Sequence, residues 1–254
     1  MLVSIVIPYY NDEKNIYLSV SSALKQTYKN IEIIIIDNEN SFLSKKILEK
    51  IKKKSKKIKI FRNKKLGNYA GIGRNIGVSH SKGKLIAFLD SDDFWSKNKL
   101  KLQVKELKDK SADILFTNFT AINEKNKEIY KVKSPALITF KDLVKSCPVC
   151  LSSVLIKKKC FKNFKFTKLK TKEDYELWLN FSKFGYKIKT LNYLGTYYRL
   201  RASTLSSLHF NKIINAYFIY SNSLKFNFFY SIFSVIRLYF YAFLKKYVKY
   251  EYKK

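Results

Sequence analysis

Four short apolar runs separated by amphipathic stretches constrain this chain more than any other feature. They fall at residues 3–7, stopped by Pro8; 31–36, β-branched and stopped by Asp37; 58–61, weaker; and 85–89, stopped by Asp90. Unbroken apolar runs of this length suit strands buried on both faces of a parallel sheet. The stretches between them have helical spacing. Residues 15–25 put Ile16, Val20, Ala23 and Leu24 on one side, and residues 42–51 do the same with Leu43, Ile47, Leu48 and Ile51. Residues 69–79 are glycine-rich and carry Arg74-Asn75-Ile76-Gly77-Val78. Alternating strand and helix signals predict an α/β fold with a doubly wound, mostly parallel sheet. Ligands of such sheets sit beyond the carboxyl ends of the strands, where Asp37 and Asp90 fall.

From residue 113 onward the signals are mixed. Strands are expected near 114–118 and 152–156, with a helix at Phe140–Lys145. Residues 173–184 read as a helix with Leu177, Phe181 and Phe184 on one face, followed by two short strands at 187–191 and 194–200. After His209, tyrosine and phenylalanine become dense and acids vanish until Glu251. Residues 226–244 are long and apolar enough to span a bilayer, but Arg237 near their middle would be costly there. Lys245, Lys246, Lys249, Lys253 and Lys254 make the end basic. Amphipathic helices lying on an anionic membrane surface are therefore expected over 209–254. A helical cap on the preceding domain is the competing reading.

The formal net charge of +32 admits nucleic-acid binding, membrane-surface attachment or a genomic bias towards lysine. Only Arg62, Arg74, Arg199, Arg201 and Arg237 are arginines, and the lysines are spread along the chain. Nucleic-acid readers lean on arginine for planar, bidentate contacts, so no nucleic-acid partner is expected. Three cysteines imply no closed disulfide framework. Cys147-Pro148-Val149-Cys150 lacks the second pair a zinc site would want, so packing is its expected role. The first residues show no basic leader or cleavage site and read as a strand. The expected location is cytoplasmic, at the inner face of the cytoplasmic membrane.

Asp90-Ser91-Asp92-Asp93 places three carboxylates in four positions, in a chain with only 19 acids. They repel one another and so favour a cation. Hard oxygen ligands suit Mg2+ or Mn2+ bound together with substrate phosphates. A polar turn capping the next helix would use the same residues. The surrounding segments weigh on the first reading. Val3-Ser4-Ile5-Val6-Ile7-Pro8-Tyr9-Tyr10-Asn11 opens the chain, and Ser22-Ala23-Leu24-Lys25-Gln26-Thr27-Tyr28 precedes the second run. Gly73-Arg74-Asn75-Ile76-Gly77 is followed by Gly83-Lys84-Leu85-Ile86-Ala87-Phe88-Leu89 and then the acids, and Glu173-Asp174-Tyr175-Glu176-Leu177-Trp178 comes late. In this order and spacing the segments resemble glycosyltransferase family 2, whose members adopt the GT-A nucleotide-sugar fold. The resemblance runs from residue 3 to about residue 206.

The resemblance implies an inverting transfer from a nucleotide diphosphate sugar, with UDP as the expected nucleotide, to an acceptor hydroxyl. The absence of a Gln-x-x-Arg-Trp motif favours transfer of one sugar, and the aromatic, basic tail points to a cell-surface glycan or lipid-linked acceptor. It implies donor contacts at Pro8, Tyr10, Asp37, Arg74 and Asp90, with Asp90 on the ribose and Asp92 on Mg2+ or Mn2+. Asp174 becomes the general base, with Glu173 orienting it or the acceptor, and Asp93 is left as a cap for the following helix. In the first turn of a helix, Glu173 and Asp174 would otherwise serve only the helix dipole. Two departures stand out. Asp37 is followed by Asn38-Glu39-Asn40-Ser41 rather than a second acid and small hydroxylated residues. Many members carry a late Tyr-Arg-x-His stretch; here Tyr198-Arg199-Leu200-Arg201 puts an arginine in place of the histidine, where it can neutralise a diphosphate but not bind a metal. An inactive nucleotide-sugar-binding or scaffold protein of the same fold is the alternative. The expected division is a GT-A catalytic domain over 1–208, split into a nucleotide-sugar half (1–110) and an acceptor half (111–208), and the tail at 209–254.

Overall fold

In the computed structural model, which describes residues 1–63, 69–108, 112–201 and 209–247, the four apolar runs are strands of one sheet. β1 (Val3–Tyr9), β2 (Ile31–Asp37), β3 (Ile58–Arg62) and β4 (Leu85–Phe88) alternate with α1 (Ile16–Leu24), α2 (Phe42–Lys52) and α3 (Ala70–His80). They stand in the order β3-β2-β1-β4, all parallel. Val3, Ile5 and Ile7 of β1 join one core and Val6 joins the other, so the strand is buried on both faces. The strand order reverses at β1, the position where doubly wound sheets hold ligands. The fold is the expected mixed α/β type with a central, mostly parallel sheet.

The second half extends the same sheet. β5 (Phe94–Trp95), α4 (Lys99–Lys108), β6 (Ile114–Ile122), β7 (Glu128–Val132), β8 (Leu137–Ile138) and α5 (Phe140–Lys145) lead to β9 (Val154–Lys157). Then come α6 (Glu173–Lys183), β10 (Ile188–Arg199), α7 (His209–Phe218) and α8 (Phe228–Tyr247). β9 is antiparallel to both β4 and β6. Its start therefore lies at the sheet edge where the parallel strands end, which brings Ser152 beside Asp90.

Several expectations change. Pro8 does not stop β1, which runs on to Tyr9. The β1–β4 ladder ends at Val6↔Phe88, so the missing N–H of Pro8 falls beyond the last rung on that side. α4 was not legible because Lys-Leu-Lys-Leu imitates strand alternation; the burial of Leu100, Gln103, Val104 and Leu107 reveals the helical period. Asp93 does not cap that helix, since β5 intervenes before Lys99. The two strands expected at 187–191 and 194–200 are one, β10, which stays paired to β6 through register shifts around Leu194. α8 runs on to Tyr247 and packs with α7 and α5.

Ala216 of α7, Ile219, Tyr220 and Leu224 of the turn that follows it, and Val235 and Leu238 of α8 join the core that holds α5 and α6. The opposite side of α8 exposes Phe229, Phe233, Ile236, Phe240 and Phe243. Among the described residues no helix is long and apolar enough to cross a membrane. Lys249, Lys253 and Lys254 lie outside the described residues, as does the stretch 202–208 between β10 and α7.

Candidate active site

The edge formed by the ends of β1, β2, β4 and β10 collects most of the chain's acids of interest. Asp90 follows β4 through Leu89. Its N–H donates to Ser152 Oγ at 3.0 Å, and its carbonyl accepts from Ser19 Oγ at 3.1 Å. The turn closes with Asp93 N–H donating to the Asp90 carbonyl at 3.1 Å. Asp93 is buried, and one of its oxygens accepts the Arg199 N–H at 2.9 Å. It fastens β10 to the acidic turn. Arg199 completes that fastening by donating to the Asp92, Asn123 and Glu124 carbonyls.

Arg74 projects from α3 and is 4% exposed. It is not a surface helix charge. One guanidinium nitrogen meets Asp90 Oδ1 at 2.7 Å and the other meets Glu173 Oε1 at 2.6 Å. Burial works against its charge, but Asp90 and Glu173 more than offset that, and its pKa is raised. A buried guanidinium is sustained only when such partners are present. α3 can approach this closely because Gly77 faces β1: a Cβ there would lie 2.2 Å from Val6 Cγ1. The bridge joins the acidic turn to the first turn of α6, more than eighty residues later. It also directs Glu173 towards Arg74. Glu173 is pushed up to about 7, by burial first, with Arg74 lowering it and Asp174 raising it. Asp174 is half-buried, accepts its neighbour's N–H at 2.8 Å, and is raised chiefly by burial.

Asp92 is held from the other side. Arg201 Nε donates to Asp92 Oδ2 at 2.7 Å, and Arg201 Nη2 meets Asp12 Oδ1 at 2.9 Å. Asp92 is pushed up to about 6, by burial first and then by Asp90; Arg201 pulls it down and Asp12 adds to the rise. Asp12 is 3% exposed, and its Oδ2 is buried without a hydrogen-bond partner. A small cavity of ≈ 240 Å³ opens here, lined by Asp12, Asn15, Glu124, Arg199 and Arg201 among others. Asp12 and Ser152 were not singled out from the sequence. Asp12 lies just past Pro8-Tyr9-Tyr10 in an acid-poor chain, which was the available signal. Ser152 had none, because its role depends on the antiparallel entry of β9.

Asp37 and Tyr10 are placed differently from that group. Tyr10 is exposed at the rim beyond β1. Asp37 is fully buried, and its oxygens accept the Glu39 and Asn40 N–H groups and the Ser44 hydroxyl. Its carboxylate shapes the turn after β2 and holds the start of α2. Glu39 is the acid that reaches outward, accepting the Asn11 N–H at 3.1 Å and so tying the β1 and β2 loops together. Pro8 lies within the strand, paired with Ile36.

The donor set fits a divalent cation that arrives with a diphosphate. Asp92 offers a hard oxygen, raised in pKa by burial and by Asp90, and across Arg201 the buried Asp12 Oδ2 has no hydrogen-bond partner. Among the described residues no group of three His, Cys, Asp or Glu stands ready to hold an ion by itself. Phosphate oxygens would complete the coordination, as Mg2+ and Mn2+ prefer. Cys150 and Cys160 are buried, with their thiols pushed up by burial, as packing residues would be.

Residues 4–178 match the family described as "Glycosyl transferase family 2". The chain belongs to that family. This glycosyltransferase is 38% identical to the UDP-Glc:alpha-D-GlcNAc-diphosphoundecaprenol beta-1,3-glucosyltransferase WfaP of Escherichia coli, over 84% of its own length and 83% of the relative's. It is 35% identical to WfgD of the same organism, which carries the same description, over 84% and 82% of the two chains. Among solved structures it resembles S. aureus TarS 1-349 in complex with UDP-GlcNAc, with a TM-score of 0.67 and 22% identity. That match covers 79% of this glycosyltransferase and 59% of the TarS chain. It also resembles the mannosyltransferase PcManGT from Pyrobaculum calidifontis in complex with GDP-Man and Mn2+, with a TM-score of 0.68, 12% identity, and 89% and 64% of the two chains covered. These likenesses show a shared fold.

Proposed function

We propose that this glycosyltransferase moves one sugar, with inversion, from a UDP-sugar to a hydroxyl of a diphosphate-lipid-linked glycan. The observation that supports this most is the double ion pair of Arg74, which draws Asp90 and the Glu173-Asp174 turn into one site. The similarity to two glucosyltransferases named for UDP-Glc and a diphosphoundecaprenol acceptor supports the substrate classes. In this reading residues 1–110 hold the donor, 111–208 the acceptor, and 209–254 the membrane.

Asp174 takes the proton of the acceptor hydroxyl as that oxygen attacks the anomeric carbon. The new glycosidic bond forms while the bond to the diphosphate oxygen breaks, and the nucleoside diphosphate leaves with the electron pair. Asp90 faces the ribose and Tyr10 packs on the base or ribose. Asp37 and Pro8 act on the donor only through the shape of the loops they support. Glu173 keeps Arg74 beside Asp90. Arg201 would turn from Asp92 to the diphosphate, and Asp92 is the residue that would hold Mg2+ or Mn2+. When bound, such a cation supplies positive charge to the departing diphosphate.

The aromatic side of α8 supports docking on the inner leaflet of the cytoplasmic membrane, where a lipid-linked acceptor resides. Arg237 need not oppose this, because its guanidinium, stacked over the Phe233 ring, reaches back towards the Val144 carbonyl at 3.5 Å. The test is release of UDP, GDP or dTDP from a panel of nucleotide sugars, with Mg2+ or Mn2+ and a prenyl-diphosphate-linked acceptor. UDP release that Asp92→Ala abolishes supports the reading. Donor binding with no transfer to any acceptor would instead favour the inactive scaffold, which the clamping of Asp92 by Arg201 permits.

A further inference from the structure

Tyr220 lies in the π-helical turn Ile219–Ser223 that follows α7 and is fully buried. Its hydroxyl is 2.8 Å from the Tyr175 hydroxyl and donates to the Val144 carbonyl at 2.9 Å; Tyr175 donates to the Leu143 carbonyl at 2.7 Å. Two protons serve three contacts, so the pair works as a unit. Leu143 and Val144 belong to the last turn of α5, whose carbonyls have no partner within the helix. The two tyrosines therefore pin the end of α5 to α6. From that end the chain runs directly to Ser152, which accepts the Asp90 N–H.

The same region grips both flanks of Glu173-Asp174. Before them, Asn215 of α7 donates to Thr171 Oγ1 at 2.9 Å, and Lys172 lies over the Tyr239 ring of α8 at 5.2 Å. Lys172 holds a positive φ of 65°, a conformation that a lysine keeps only when its surroundings enforce it. After them, Tyr220 binds Tyr175, and Ser223 donates to Glu176, which also accepts from Thr167 Oγ1 at 2.6 Å. π-turns recur at functional sites, and this one aims two hydroxyls at α6.

We propose that the C-terminal helices are a positioning element of the active site, with Tyr220 and Ser223 as positioning residues that fix the approach of Asp174 to the acceptor. This rests on Asp174 being the general base. The experiment compares Tyr220→Phe, Ser223→Ala and Ser223→Thr in the full chain, using UDP-glucose and a prenyl-diphosphate-linked GlcNAc acceptor. Donor affinity by calorimetry, kcat, acceptor KM and thermal unfolding are all measured. Tyr220→Phe is expected to lower kcat about tenfold, because small misplacements of a catalytic group are costly in rate. Donor affinity should stay at the wild-type value. Ser223→Ala should act in the same direction and Ser223→Thr should restore the rate. Wild-type kcat in both hydroxyl-deleted variants overturns the proposal. So does a loss of donor affinity that tracks a lowered unfolding temperature, which would mean general loosening. Asp174→Asn separates the layers: inactive beside a fully active Tyr220→Phe, it leaves the base in place and sinks only the positioning; active, it overturns both.

Discussion

Replacing Arg74 by lysine tests how strongly the two acid groups depend on one guanidinium. An ammonium is a single point charge and cannot meet Asp90 and Glu173 with separate nitrogens at 2.6–2.7 Å. Arg74→Lys is expected to keep the fold at a lower melting temperature and to lose about 100-fold or more in kcat/KM, a size typical of lost orientation. Asp92 gives a second prediction. Its pKa is raised to about 6, so the proton stays on below that pH and the carboxyl offers no anionic oxygen to a cation. Affinity for Mn2+ with UDP should therefore rise about tenfold per pH unit up to pH 6 and level off above it. Calorimetry between about pH 5 and 8 reads this, and Asp92→Asn should flatten the curve. The raised value also means that Asp92 favours folding while protonated and loses that contribution as pH rises from the usual carboxyl range through 6. Asp90, Asp92, Arg74 and Glu173-Asp174 were legible because each sits in a recognisable run. Asp12 and Ser152 were not, since what they touch lies across the sheet. The inward turn of Asp37 was hidden for a different reason: its partners Glu39, Asn40 and Ser44 are close in sequence, and only the folded turn shows that they take up the carboxylate.

At the scale of elements, the close packing of α3 on β1 carries Arg74 into the site. Gly77→Ala would place a methyl 2.2 Å from Val6 Cγ1, and Val6 sits in a filled core with little room to yield. The expected cost is about 1–3 kcal/mol, the usual range for overpacking, read as a lower denaturation midpoint with an unchanged slope. Turnover should fall with it, because α3 cannot retreat without pulling Arg74 from Asp90. The first four strands were readable because fully buried parallel strands write themselves as unbroken apolar runs. α4 was not, because its lysines and leucines alternate along the sequence while its buried positions follow the helical period. β10 looked like two strands because Asn192 and Tyr193 interrupt the pattern. β6 supplies a continuous partner that carries the pairing across the interruption.

For the whole molecule, the aromatic tail gives a GT-A core whose C-terminal helices bury one side against α5 and α6 and expose the other. Replacing Phe233, Ile236 and Phe240 together by serine should abolish flotation with anionic liposomes while leaving donor affinity unchanged, since none of the three contributes to the core. Retained flotation would contradict docking through this side of α8, and no flotation of the unaltered chain would contradict membrane attachment altogether. The tail was legible as amphipathic from composition, but its hold on α6 was not, because Tyr220 and Ser223 carry no motif and act only through tertiary contacts. The central claim is that the acidic turn and the Glu173-Asp174 turn form one transferring site. Its most direct test is glucose transfer from UDP-glucose to a prenyl-diphosphate-linked GlcNAc acceptor by Asp174→Asn beside the wild type. The variant is expected to bind donor and Mn2+ normally and to lose about 100- to 10,000-fold in kcat, the span of general-base catalysis. Transfer at the wild-type rate by Asp174→Asn would contradict it.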